Sequence, residues 1–186
     1  MKLNLGCGQN KLAGYINIDK YEELQPDQIW DLEKTPYPFE TNSVSEILLS
    51  HVLEHLGQSP DTFINIIKEF YRICKHNAVI DITVPHWRHD NFFSDPTHVR
   101  PITPLLLKLF DRELNLSWQR EGAANSPLAL IHKVNFKIDK CVILLDEPWR
   151  TMMKENKIPE EQVTLWTRQY ANVVNQLTFK WRVLKT

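Results

Sequence analysis

LNLGCGQNKLAGYINID, from Leu3 to Asp19, decides the reading of this chain. Lys2–Leu5 is a strand that runs straight into Gly6, Cys7 and Gly8, and Tyr15–Ile18 is a second short strand ending at Asp19. Closely spaced glycines after a strand let a ligand approach the backbone without interference from a Cβ atom. In open α/β sheets, ligands bind at the carboxyl ends of the strands. Asp19 stands at such an end, where a carboxylate can accept both hydroxyls of a ribose. A dinucleotide fingerprint would need a third glycine and an acidic residue about 20 positions on. Here Gln9, Asn10 and Lys11 follow the second glycine, and Asp19 arrives early. The helix between the two strands must shrink to a turn or loop, so a helix N-terminus to cradle a pyrophosphate is poorly supported. A nucleoside without phosphates fits better.

Working outward, the pattern predicts a strand at Gln28–Trp30 that ends on Asp31, then strands at Ser45–Leu49 and Ala78–Val84, with Pro85 as a stop. Between the last two, Ser59 is an N-cap and Pro60 suits the first helical position. Phe63, Ile66, Ile67, Phe70, Ile73 and Cys74 then recur at helical spacing, and His76-Asn77 turns the chain. A second helix starts at Thr103-Pro104, and a third near Pro159 carries Val163, Trp166, Tyr170, Val173 and Val174 inward. FKIDKCVILLD from Phe136 and QLTFKWRVLK from Gln176 are the two remaining strands. Strands alternating with helices imply a mostly parallel sheet with crossovers, closed at one edge by an antiparallel strand.

The 186 residues fit one domain, 1–186, with an ordinary globular composition of 42% hydrophobic and 24% charged residues. The formal net charge of -1 lacks the electrostatic footprint of a nucleic-acid binder, which makes nucleic acid an unfavoured partner. The three cysteines, Cys7, Cys74 and Cys141, are odd in number and form no CxxC pair, which points to a reducing compartment. Neither a signal-peptide core nor a run of about 18 apolar residues is present, so the expected location is the cytoplasm, without membrane insertion.

Together with DLEKTPYPFETNSVSEILLSHVLEHL, EFYRICKHNAVIDITVPH and DPTHVRPIT, the opening stretch resembles the class I S-adenosylmethionine (SAM)-dependent methyltransferases, in particular small enzymes allied to the type 11 group. The likeness runs from Met1 to about Arg100 and rests on several motifs in the right order. It implies a Rossmann-like, mostly parallel seven-stranded sheet with an antiparallel last strand and helices on both faces. It further implies SAM as cofactor: Gly6, Cys7 and Gly8 under the methionine moiety, Asp19 on the ribose, Asp31 and Leu32 beside the adenine, and His51 near the methyl group. Asn4 and Gln9-Asn10 depart from the family pattern, at an aspartate and a third glycine region respectively.

Two histidine clusters bear on chemistry. His51-Val52-Leu53-Glu54-His55 matches H-x-x-E-H, a zinc-hydrolase signature that needs both histidines on one helix. Gly57 and Pro60 leave too little room for such a helix, so no metal is expected there. PHWRHDNFFSDPTHVRP, from Pro85, follows a strand at the ligand-bearing edge. Its His86, His89 and His98 are the candidate general bases, and Trp87, Phe92 and Phe93 are candidate walls of an acceptor pocket. The expected reaction is methyl transfer to an oxygen or nitrogen, with a small molecule or glycan favoured as acceptor. A SAM-binding module without transfer activity is the alternative, and a zinc hydrolase the more remote one.

Overall fold

The computed structural model describes residues 1–185. Seven strands form one sheet: β1 (Lys2–Leu5), β2 (Ile16–Asp19), β3 (Gln28–Ile29), β4 (Val44–Ser50), β5 (Cys74–Pro85), β6 (Phe136–Leu145) and β7 (Val174–Val183), in the order β3-β2-β1-β4-β5-β7-β6. The pairs from β3 to β5 are parallel, and β7 runs antiparallel to both β5 and β6. The order reverses between β1 and β4, and ligand crevices in open α/β sheets form at such a reversal.

Helix α1 (Pro60–Ile73) crosses from β4 to β5. Ser59 Oγ accepts from the Thr62 N–H at 3.1 Å, satisfying one of the free amides of the first turn. Phe63, Ile66, Ile67, Phe70 and Ile73 are all buried, each worth about 1.5–3 kcal/mol of burial. Between β5 and β6 lie α2 (Asp90–Phe93), α3 (Pro104–Lys108), α4 (Arg112–Glu121) and α5 (Leu128–His132); α6 (Trp149–Lys154) and α7 (Glu160–Gln169) follow β6. No helix among the described residues is long and apolar enough to cross a membrane.

The two faces of the sheet are unequally covered. Register places Leu3, Ile47, Ile80 and Trp181 in one row, all fully buried. Phe110 packs edge-on to Trp181, Phe136 stacks on it with ring centroids 4.0 Å apart, and Phe63 of α1 reaches Phe110. On the opposite face Lys2 pairs with Glu46, Lys180 with Asp81 and Arg182 with Asp139. Near β1 and β2 that face is closed by the loop before β2, through Asn4 Nδ2 donating to Asn10 O and to Asn17 Oδ1, both at 2.9 Å. Asn4 therefore locks the short loop that replaces a crossover helix.

Two boundaries and two helices differ from the sequence pattern. β5 begins at Cys74, directly after α1, because Val44 pairs with Cys74 while Glu46 pairs with Val79. The extra residues form a bulge around Asn77, whose φ of 63° asparagine tolerates. α7 ends at Gln169, so Tyr170 is exposed, and Val173 and Val174 are buried at the start of β7 rather than on the helix. α4 and α5 carry too little apolar periodicity to have been marked; α4 is held by its Asp111 cap and by Asn115 Oδ1 accepting from Ala129 N.

Candidate functional site: a cavity at the strand ends

A cavity of about 460 Å³ opens at the carboxyl ends of β1, β2 and β4. Its floor is Gly6, whose φ is 63° and whose hypothetical Cβ would lie 2.6 Å from Val52 Cγ2, so only glycine fits. Asp19 forms one side wall. Its Oδ2 accepts from Gly8 N at 2.9 Å and its Oδ1 from Tyr21 N at 3.1 Å, fixing the carboxylate while leaving each oxygen further acceptor capacity. Trp30, Asp31 and Leu32 extend this wall. The loop beneath them is anchored because Leu32 O accepts from the Tyr37 hydroxyl at 2.7 Å, while Tyr37 N donates to Glu69 Oε2 at 2.6 Å.

The facing wall is His51, Val52, His55 and Thr97. His51 sits at the end of β4 with a φ of 56°, its N–H donating to Thr83 O at 2.8 Å. Its Nδ1 lies 3.5 Å from Glu54 Oε1, and the proximity of that carboxylate raises the imidazole above its ordinary pKa. Leu53–His55 is a single 3-10 turn, so His51 and His55 do not share a helix as the H-x-x-E-H signature requires.

Of the residues marked in the sequence, Gly6, Asp19, Asp31, Leu32 and His51 meet on this one cavity. Cys7 is buried behind it, and Gly8 contributes by holding Asp19. The histidines after β5 stand elsewhere. His86 is buried against Trp87, its Nδ1 accepts from Arg88 N at 3.2 Å, and burial pushes its pKa down to about 4. His89 caps α2 by accepting from Asn91 N and bonds Asp146 Oδ2 through Nε2 at 2.9 Å. His98 alone approaches the cavity, with its ring edge-on to His55 at 4.6 Å. Trp87 and Phe92 pack inward, and Phe93 is 72% exposed. Among the wall residues that the motifs did not mark for the cofactor are Trp30, His55 and Thr97.

The fold recurs in solved structures. A SAM-dependent methyltransferase from Archaeoglobus fulgidus superposes with a TM-score of 0.61 at 16% identity, over 97% of this chain and 85% of that one. The fold is that of the class I SAM-dependent methyltransferases. A second such methyltransferase, from Methanosarcina mazei, matches with a TM-score of 0.56 at 15% identity, over 100% and 92% of the two chains. The [4+2]-cyclase SpnF matches with a TM-score of 0.53 at 12% identity, over 100% and 75%. No protein-family model and no curated protein sequence matches. Gly6, Asp19, Asp31, Leu32 and His51, to which the resemblance in sequence assigns a cofactor role, line this cavity.

Proposed function

We propose that this chain transfers a methyl group from SAM to an oxygen or nitrogen of a small-molecule or glycan acceptor. The observation that carries the proposal is the convergence of Gly6, Asp19 and His51 on one cavity of the methyltransferase fold. The residues suit the cofactor. Gly6 leaves backbone bare where a side chain would strike Val52, Asp19 offers a fixed carboxylate to ribose hydroxyls, and Asp31 and Leu32 offer an acceptor and an apolar surface to adenine. SAM held by these residues would supply an electrophilic methyl on a sulfonium, its carbon–sulfur bond giving way to the new carbon–oxygen or carbon–nitrogen bond.

The protein's own part is alignment and proton removal. His51, half-exposed on the cavity wall and backed by Glu54, is the base for the proton that the acceptor releases. This reading takes the role away from His86, buried against Trp87 with Nδ1 held by Arg88 N, and from His89, whose two ring nitrogens both make structural bonds. A net charge of -1 favours a small acceptor over nucleic acid. His51→Ala should cut methyl transfer at least tenfold, measured with radiolabelled SAM over a panel of sugars, amines and carboxylates, while affinity for S-adenosylhomocysteine changes less than about threefold. Undiminished transfer by the variant would remove His51 from the chemistry. The match to a protein named a cyclase favours a second reading, a SAM-binding protein without methyl transfer. Tight S-adenosylhomocysteine binding with no transfer across the panel would support that second reading.

A further inference from the structure

Beside the cavity, three side chains present lone pairs to one another. One potential donor atom from each of Glu54, His55 and His98 lies within 4.8 Å of the other two. Glu54 is fully buried, and among the described residues neither carboxylate oxygen has a hydrogen-bond partner. Its nearest charged neighbour is His51 Nδ1 at 3.5 Å, and no lysine or arginine among the described residues pairs with it. Arg100 is close in the chain fold, since its N–H donates to Glu54 O at 3.1 Å, but its guanidinium makes no ion pair with the carboxylate: Nη2 goes to Gly57 O, the group lies over the Phe63 ring, and its buried Nε has no partner. Apart from the half-exposed His51 imidazole the buried carboxylate has no ion-pair partner among the described residues, and a buried charge so thinly paired costs several kcal/mol.

The hydrogen bonds fix what the two imidazoles offer. His98 Nδ1 lies 2.8 Å from Phe92 O, and a carbonyl only accepts, so Nδ1 carries the proton; in the neutral ring Nε2, 3.9 Å from Asp95 Oδ2, has the lone pair. The Thr97 hydroxyl donates to Asp95 Oδ1 at 2.6 Å, so Thr97 Oγ1 accepts from His55 Nδ1 at 2.9 Å, and His55 Nε2 likewise keeps its lone pair. Both imidazoles thus have the outer contact by which ligating histidines are held, a carbonyl in one case and a hydroxyl–carboxylate relay in the other. Two imidazole nitrogens and a buried carboxylate gathered this closely make a donor set suited to a cation.

We propose that Glu54, His55 and His98 bind a divalent cation of the zinc type. Two nitrogens and one oxygen suit zinc better than calcium or magnesium, which take oxygen ligands. The set differs from the sequence signature, in which His51 and His55 would ligate and Glu54 would not. The 3-10 turn supplies Glu54 and His55, and the segment of His98 is pinned onto it by Val99 N donating to Glu54 O at 2.9 Å. Three protein donors leave a coordination position for water or for an oxygen of the acceptor. His55 belongs to both the cluster and the cavity wall, so this last point rests on the methyl-transfer reading; the cation itself does not.

The test is calorimetric titration of the chelator-stripped full chain with Zn²⁺, alongside thermal melts with and without zinc. The expected result is one equivalent bound and a raised melting temperature, with affinity at least tenfold weaker in both Glu54→Gln and His55→Ala. If Glu54→Gln does not fold, His55→Ala, at a partly exposed position, decides. No zinc binding by the wild type, or unchanged affinity in the folded variants, would overturn the site. A gain in stability from Glu54→Gln without zinc binding would do the same, showing a plain buried charge. S-adenosylhomocysteine is titrated in parallel, so that loss of the zinc site and loss of the cofactor site are read separately.

Discussion

Asp19→Ala should weaken binding of S-adenosylhomocysteine at least tenfold, about 1.4 kcal/mol. A carboxylate that accepts from ribose hydroxyls makes charge-assisted bonds, each worth about 1.5–3 kcal/mol. The structure adds a second effect. The same carboxylate accepts from Gly8 N and Tyr21 N, so alanine also frees the two backbone amides that shape the loops on either side of the cavity. Stability should therefore fall along with affinity, by about 1–3 kcal/mol for each amide left buried without a partner. Asp19→Asn separates the effects, because it keeps an oxygen for one amide and loses the charge. It should melt closer to wild type than alanine does and still bind at least tenfold more weakly. Calorimetry with parallel melts checks this, and an unchanged dissociation constant in folded Asp19→Ala would remove Asp19 from the cofactor site.

Gly57→Ala should cost about 3 kcal/mol or more of stability. Gly57 has a φ of 67°, and a Cβ there would lie 2.5 Å from Phe63 Cα and 2.7 Å from Phe63 N. The clash is with the backbone of the first turns of α1, which cannot swing aside as a side chain can. Gly57 cannot retreat either: its N–H donates to Glu33 Oε1 at 2.7 Å and its carbonyl accepts from Arg100 Nη2 at 2.6 Å. Left-handed strain of about 1–2 kcal/mol adds to overpacking of about 1–3 kcal/mol. Gly14 is the control, with a φ of 82° but open space around its Cβ position. Gly14→Ala should cost only the strain, about 1–2 kcal/mol. Urea unfolding of both variants makes the comparison; equal losses would show that the close approach to α1 has no energetic weight.

The strands and the long helix were legible because their signals are local. Ser59 and Pro60 mark the start of α1, its apolar face repeats every three or four residues, and β4 and β5 are rich in apolar and β-branched side chains. The bulge at Asn77 was not legible, since nothing local says that Glu46 will pair with Val79 rather than a residue nearer Cys74. That Gly6 and Asp19 come together at the strand ends was legible because a strand end dictates where their backbone and carboxylate go. The histidines were harder. Spacing along the chain does not reveal which ring nitrogens local backbone will consume, and His89 is taken by the cap of α2 and by Asp146. Nor does it reveal that Thr97, 42 positions from His55, lies against it. The pairing of Glu54 with His98 is likewise set by how the segment after α2 folds back onto the turn after β4.

The central claim is that the cavity at the ends of β1, β2 and β4 is built for a nucleoside without phosphates, carried as SAM. Calorimetric titration of the full chain with S-adenosylhomocysteine, and separately with NAD, tests it most directly. The account predicts one equivalent of S-adenosylhomocysteine bound and no measurable heat with NAD, because Gly8 leads into a loop rather than into a helix N-terminus that could hold a pyrophosphate. Tight binding of NAD with none of S-adenosylhomocysteine would contradict it.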